Sequence, residues 1–383
     1  MPATPFTSAT SSTPAAPAPI TYDQAGVDYD QVDPVKRLAQ RAAAATSVHL
    51  AAHGLAEMAA SRGESAYVID LGDRYLASIV ECLGTKVLVA DAVYAATGRS
   101  HYAAIAQDTI AMAVNDLITV GATPHLVQAY WAAGGSDWFA DARRATDLIE
   151  GWRAACDRCR VSWGGGETPA LAGVVAPGTI DLAAGCVGTV FPKTRLSLGE
   201  RLAVGDAIVL LASSGIHANG VSLARKVAER LPEGYGTRLE DGRTYGEALL
   251  SPTALYSPVT EALARADIDV HYAINITGHG WRKLLRHPGA FTYVIDTVPP
   301  VPTELAFLAR EAGLNATEAY GTFNMGAGFA LFVSSADAAR AARVAESEGV
   351  AAWVAGSVEA GPKRVVIRPL GLGFEADALQ LRT

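Results

Sequence analysis

The chain has 383 residues, half of them hydrophobic and 18% charged, with a formal net charge of −8, which is a globular composition with ample apolar side chain for a core. An acidic balance without a Lys/Arg block argues against wrapping nucleic acid or docking on an anionic membrane, and leaves local phosphate binding open. Four cysteines are too few for a disulfide scaffold, and no run of about 18 apolar residues is present to span a bilayer.

Residues 1–20, rich in Ala, Pro, Ser and Thr, lack a basic segment followed by an apolar one; they read as a disordered tail, not a secretory signal. Short apolar runs then alternate with helical patterns. AYVIDL (66–71), YLASIVE (75–81), LVQAYWA (126–132) and IDLAAGCVGTV (180–190) read as strands, with helices near 101–121 and 139–160. Cys156 and Cys159 fall within the second helix; with no second CxxC or His pair they are ordinary thiols, and the compartment reads as a reducing cytoplasm.

The helix near 101–121 is apolar all round its axis yet carries Asp108, Asn115 and Asp116. Asp108 and Asn115 project about 20° apart on one face, and Asp116 lies roughly 80° further round. Buried carboxylates need cations or strong donors. Two readings stay open: pairing with a basic side chain or with the following turn, or an oxygen-rich wall for Mg²⁺. Glu167, after three glycines in WGGGET, and ECLGTK (81–86), with Glu81, Gly84, Thr85 and Lys86, add parts suited to metal and phosphate.

A polar stretch follows, and a domain boundary is expected near residue 195. Beyond it, strands are expected at 207–212, 291–295, 327–333, 351–357 and 364–368, separated by helices near 221–231, 253–266, 303–312 and 336–348. The order of elements gives an α/β (α+β) fold in two domains, 21–195 and 196–383. Between the first strand and helix of the second half lies SSGIHANG, with Ser214, Gly215, His217, Asn219 and Gly220. Asn219 or Ser214 can cap the helix, and its free N–H groups suit an anion. Neither GxxxxGK[ST] nor GxGxxG occurs, so this is neither a Walker A loop nor a dinucleotide fingerprint.

Taken together, YDQAGVDYDQ (22–31), AMAVNDLITVGATP (111–124), GGET (165–168), SSGIHANGVSLARK (213–226), ITGHG (276–280) and TFNMGAGFALFV (322–333) resemble the aminoimidazole ribonucleotide synthetase (phosphoribosylformylglycinamidine cyclo-ligase) family. That family shares an ATP-binding superfamily with selenophosphate synthetase, thiamine-monophosphate kinase and formylglycinamidine synthetase. The resemblance implies two α/β domains, a homodimer paired through the N-terminal sheets, and ATP-dependent ring closure of formylglycinamidine ribonucleotide with release of ADP and phosphate. It implies ATP and Mg²⁺ held by some of Glu81, Asp108, Asn115, Asp116 and Glu167, with Gly84, Thr85 and Lys86 beside them. Lys86 would stabilise the transferring phosphoryl group, while Ser214, Gly215, His217, Asn219 and Gly220 bind substrate and His217 and Asn219 position it or relay a proton. On this reading Asp108→Asn abolishes turnover and leaves the fold intact.

The sequence departs from the family pattern at Glu81 (Asp expected), Cys82 and His279 (Gly expected), and Pro169-Ala170-Leu171. These departures keep a second reading open: a paralogous ATP-dependent ligase or kinase acting on another substrate.

Overall fold

The computed structural model describes residues 29–379. The expected tail and most of the YDQAGVDYDQ segment lie outside them. The N-terminal half contains α1 (Tyr29–Ala45), β1 (Ala56–Glu57), β2 (Tyr67–Asp70), β3 (Tyr75–Cys82), α2 (Lys86–Thr97), α3 (Tyr102–Leu117), β4 (Thr123–Ala133), α4 (Asp137–Ala140), α5 (Ala142–Cys159), β5 (Ser162–Glu167) and β6 (Ile180–Val190). Its six strands form one sheet in the order β1-β2-β3-β6-β4-β5. Alternation sets the two faces. Leu182, Ala184 and Cys186 of β6 are buried toward the helices, whereas Ala183, Gly185 and Val187 are only partly covered. On the same outer face Val80 of β3 is 74% exposed.

The C-terminal half holds β7 (Ala207–Ala212), α6 (Val221–Arg230), α7 (Tyr245–Leu249), α8 (Ser257–Arg265), β8 (Val270–Asn275), β9 (Phe291–Ile295), α9 (Thr303–Glu311), α10 (Ala316–Tyr320), β10 (Ala327–Val333), α11 (Ala338–Ser347), β11 (Ala352–Ala360), β12 (Arg364–Ile367) and β13 (Leu372–Glu375). Its sheet runs β13-β12-β9-β11-β7-β10-β8. β10 lies between β7 and β8 and is buried along its whole length, which its unbroken apolar run AGFALFV requires.

Several expected helices are shorter than their sequence patterns, and two of them have a clear local reason. The helix near 101–121 ends at Leu117 and tightens into a 3₁₀ turn over Ile118–Val120. Gly121 closes that turn at φ 82°, and a Cβ there would lie 2.0 Å from the Arg195 carbonyl oxygen. The helix expected from 253 starts at Ser257. Residues 253–256 spend their backbone groups on side chains of α3 instead.

Candidate active site

The polar face of α3 does not open to solvent. Gln107, Asp108 and Asn115 reach across to the irregular segment before α8. The Gln107 amide donates to the Thr253 carbonyl at 2.6 Å. Asp108 Oδ1 accepts from the Thr253 backbone N–H at 2.7 Å and from its hydroxyl at 2.5 Å. Asn115 donates to the Ala254 carbonyl at 2.8 Å and accepts the Tyr256 N–H at 3.0 Å. The other oxygen of Asp108 pairs with Lys86 Nζ at 2.8 Å, both side chains being 0% exposed. Lys86 also donates to the Ser251 carbonyl at 3.0 Å. Burial pushes the Asp108 carboxyl up, and the Lys86 ammonium opposes that shift. These residues therefore clamp the two halves together.

That geometry corrects three expectations. Asp108 and Asn115 are satisfied by the clamp and present no free oxygen to a metal. Lys86 is committed to Asp108 and Ser251, so it does not project toward a phosphoryl group. Glu167 stands at the end of β5, in register with Tyr130 of β4, which pairs with Ala183 of β6, which pairs with Cys82 of β3. Three strand spacings separate Glu167 from Cys82, roughly 14 Å. Not all of the five candidates therefore meet within one chain, and among the described residues no three His, Cys, Asp or Glu side chains converge on a metal position.

Glu81 and Asp116 do come together. Glu81 points from the inner face of β3, and burial followed by the Asp116 charge raises its carboxyl to about 7. Asp116 Oδ1 accepts from the Asn275 amide of β8 at 2.7 Å. Across the boundary lie two cations, Lys283 and Arg286, whose charges oppose the rise at Glu81. A buried carboxylate with a second one nearby suits a divalent cation, which would offset both charges. Sequence reasoning missed Lys283, Arg286 and Asn275. The WRKLLR run at 281–286 was a signal; without a placed helix it had no partner.

The SSGIHANG turn lies beside the same boundary. Thr85, between β3 and α2, meets Ser222 of α6 through their hydroxyls at 3.2 Å, so the ECLGTK turn and the first turn of α6 are in contact. The helix cap differs from expectation. Gly220, at φ 85°, holds the N-cap position of α6 without a side-chain bond. Ser214 instead donates to the Pro252 carbonyl at 2.7 Å, and Asn219 turns toward the Met112 sulfur.

His217 is only 3% exposed, and burial, then the Lys86 charge, lowers its pKa to about 3. Its Nε2 accepts the Ser214 N–H at 3.1 Å. The ring fastens the turn from within, a geometry that suits the positioning alternative of the two roles the resemblance implies. Gly215 has φ 136°, a conformation that L side chains rarely adopt, with the Glu304 carboxyl packed against it. His279 occupies the left-handed region at φ 70°, where glycine is the usual choice.

The four cysteines are free, three of them buried. Burial raises the thiols of Cys156 and Cys186 to about 12 and that of Cys159 to about 11. They are inert core residues. No helix among the described residues is long and apolar enough to cross a membrane.

Comparison with known proteins bears on both halves. Residues 63–190 match the family described as AIR synthase related protein, N-terminal domain, and residues 203–368 match its C-terminal domain. The phosphoribosylformylglycinamidine cyclo-ligase of Carboxydothermus hydrogenoformans is 33% identical over 358 residues, covering 91% of this chain and 98% of that protein. The enzyme of the same name from Methanocaldococcus jannaschii is 33% identical over 344 residues, covering 88% and 92%. Among solved structures, the hydrogenase maturation protein HypE in complex with ATP shares the fold. Its TM-score is 0.58 at 17% identity, over 80% of this chain and 85% of that one.

Proposed function

The chain belongs to the AIR synthase (phosphoribosylformylglycinamidine cyclo-ligase) family, and from that premise we propose that it closes formylglycinamidine ribonucleotide to aminoimidazole ribonucleotide at the expense of ATP. The end-to-end likeness to cyclo-ligases of that name carries the proposal. The likeness in fold to an ATP-bound protein supports ATP as the co-substrate.

The chemical problem is an amide oxygen that leaves poorly. Transfer of the terminal phosphoryl group onto that oxygen forms the O–P bond and releases ADP. A neighbouring amine nitrogen then attacks the carbon, phosphate departs, and the nitrogen loses a proton. Catalysis of this kind is mostly positioning and charge stabilisation. Glu81 and Asp116 would hold a magnesium ion, which when bound offsets charge on the polyphosphate. Gly84 and Thr85 would lie along the nucleotide, with Thr85 already touching α6. Ser214, Gly215, Asn219 and Gly220 form the substrate turn, kept in shape by His217.

The same reading makes 21–195 the nucleotide-binding and dimerising domain and 196–383 the substrate domain, acting in a reducing cytoplasm. It makes the protein a homodimer paired through the uncovered face of the N-terminal sheet. Val80 and the 37% exposed Tyr130 supply apolar area for that contact. Glu167, at the end of β5, would complete a site shared across it.

A second reading keeps the ATP chemistry and changes the substrate. His279, in a backbone conformation that favours glycine, is the observation behind it. Complementation of a purine-requiring strain lacking the cyclo-ligase tests the proposal. Restored growth is the expected result. Failure to grow, with the chain expressed and soluble, contradicts the first reading.

A further inference from the structure

Three cations lie along the boundary between the two halves, Lys86 and Lys283 buried and Arg286 partly so, and their circumstances differ. Lys86 is paired with Asp108 and donates to the Ser251 carbonyl. Arg286 donates to the Ser65 hydroxyl at 2.9 Å and to the Gly63 carbonyl at 3.4 Å, with Glu64 4.0 Å away. Lys283, in the 3₁₀ helix Gly280–Leu285, is 8% exposed. Among the described residues its ammonium has no hydrogen bond and no carboxylate within 4.0 Å. A largely buried ammonium without a carboxylate partner is unfavourable, and such groups cluster where a ligand completes them.

We propose that Lys283 is the residue that meets the transferring phosphoryl group, the role the sequence assigned to Lys86. The inference rests on the ATP-dependent reading above. Its position supports it. Arg286 anchors one side of the segment to residues 63–65, and the Asn275–Asp116 bond anchors the other. The charged and titratable groups acting on Lys283 and its turn are Asp116 and Glu81 of the N-terminal half, Lys36 of α1, Arg282 and Arg286 of its own segment, and His279.

Burial, then the Arg286 charge, brings the ammonium down to about 8, while Asp116 and Glu81 pull it back up. The acids attract the ammonium without touching it. On the proposal, a phosphoryl oxyanion would lie between the ammonium and a cation held by the acid pair. Lys283 remains protonated throughout: it donates an N–H to a phosphoryl oxygen while the amide O–P bond forms and the bond to ADP breaks. It neither gives nor takes a proton.

Lys283→Met removes the charge at similar length, and Lys283→Arg keeps it. The measurements are the melting temperature of the ligand-free protein, calorimetric affinity for magnesium with the non-hydrolysable analogue AMPPCP and for inorganic pyrophosphate, and kcat. For Lys283→Met the expected results are an unchanged or higher melting temperature, at least tenfold weaker AMPPCP binding, and kcat lower by about 100-fold or more. Lys283→Arg recovers part of the affinity.

A structural lysine behaves otherwise: its loss lowers the melting temperature and leaves AMPPCP affinity alone, and that result overturns the inference. Wild-type protein that binds neither AMPPCP nor pyrophosphate also overturns it. If AMPPCP affinity depends on Lys283 but formylglycinamidine ribonucleotide is not turned over, the phosphoryl contact stands and the cyclo-ligase reading fails.

Discussion

Replacing Asp108 by Asn leaves the Lys86 ammonium buried without a counter-charge, because both side chains are 0% exposed and 2.8 Å apart. Breaking one partner of such a pair costs about 3–5 kcal/mol. Asp108→Asn therefore lowers stability, which urea unfolding measures, and its loss of activity follows from a weakened clamp. Sequence reasoning expected an intact fold with the chemistry alone removed; the difference lies in Lys86, whose partner the sequence could not name. Two histidines, the buried His217 and the half-buried His279, set the acid limit. His217 and His279 are held at about 3, against about 6.5 in an unfolded chain. Their folded values are depressed, so the stability they contribute is complete above about pH 6.5 and drains as pH falls toward 3. A chain with His217→Gln, compared at each pH with its own value at pH 7, loses less stability between pH 6.5 and 4.5 than the wild type. A denaturant midpoint series over that range checks the sign.

At the scale of elements, α3 both holds the site and joins the halves. Asp116 near its C-terminal end faces Glu81, while Asp108 and Asn115 bind residues 253–256. Asn115→Ala strands the Tyr256 N–H and the Ala254 carbonyl, each buried group costing about 1–3 kcal/mol. Guanidinium unfolding is expected to show that loss, together with a weakened cyclo-ligase rate. Much of the element pattern was legible. β6, β7, β9 and β10 have the bounds their apolar runs predict, because continuous or alternating runs bounded by polar residues admit little else. α2 was not legible: KVLVADAVYAAT follows directly on the ECLGTK turn and shows no clear amphipathic stripe. The candidate site was half legible. Residue types identified Glu81 and Asp116 as parts of an acidic site, but Asp108 and Asn115 have the same chemistry and a different use. Only the position of the 251–256 segment tells them apart, and that is a long-range contact without a local signal.

For the whole molecule, the inner face of the N-terminal sheet is covered by its helices and the outer face is not. Val80, 74% exposed in the middle of the sheet, is the position where a charge would most disturb pairing through that face. Val80→Asp is expected to shift the protein from dimer to monomer in light scattering and, if Glu167 serves a shared site, to reduce ATP turnover with it. A monomeric wild type contradicts the pairing. The reaction itself is tested most directly by steady-state assay of purified protein with ATP, magnesium and formylglycinamidine ribonucleotide, following ADP and the imidazole product together. The two are expected to form one for one, with neither appearing when the ribonucleotide is omitted. Saturating ATP and ribonucleotide with no imidazole product would contradict the assignment.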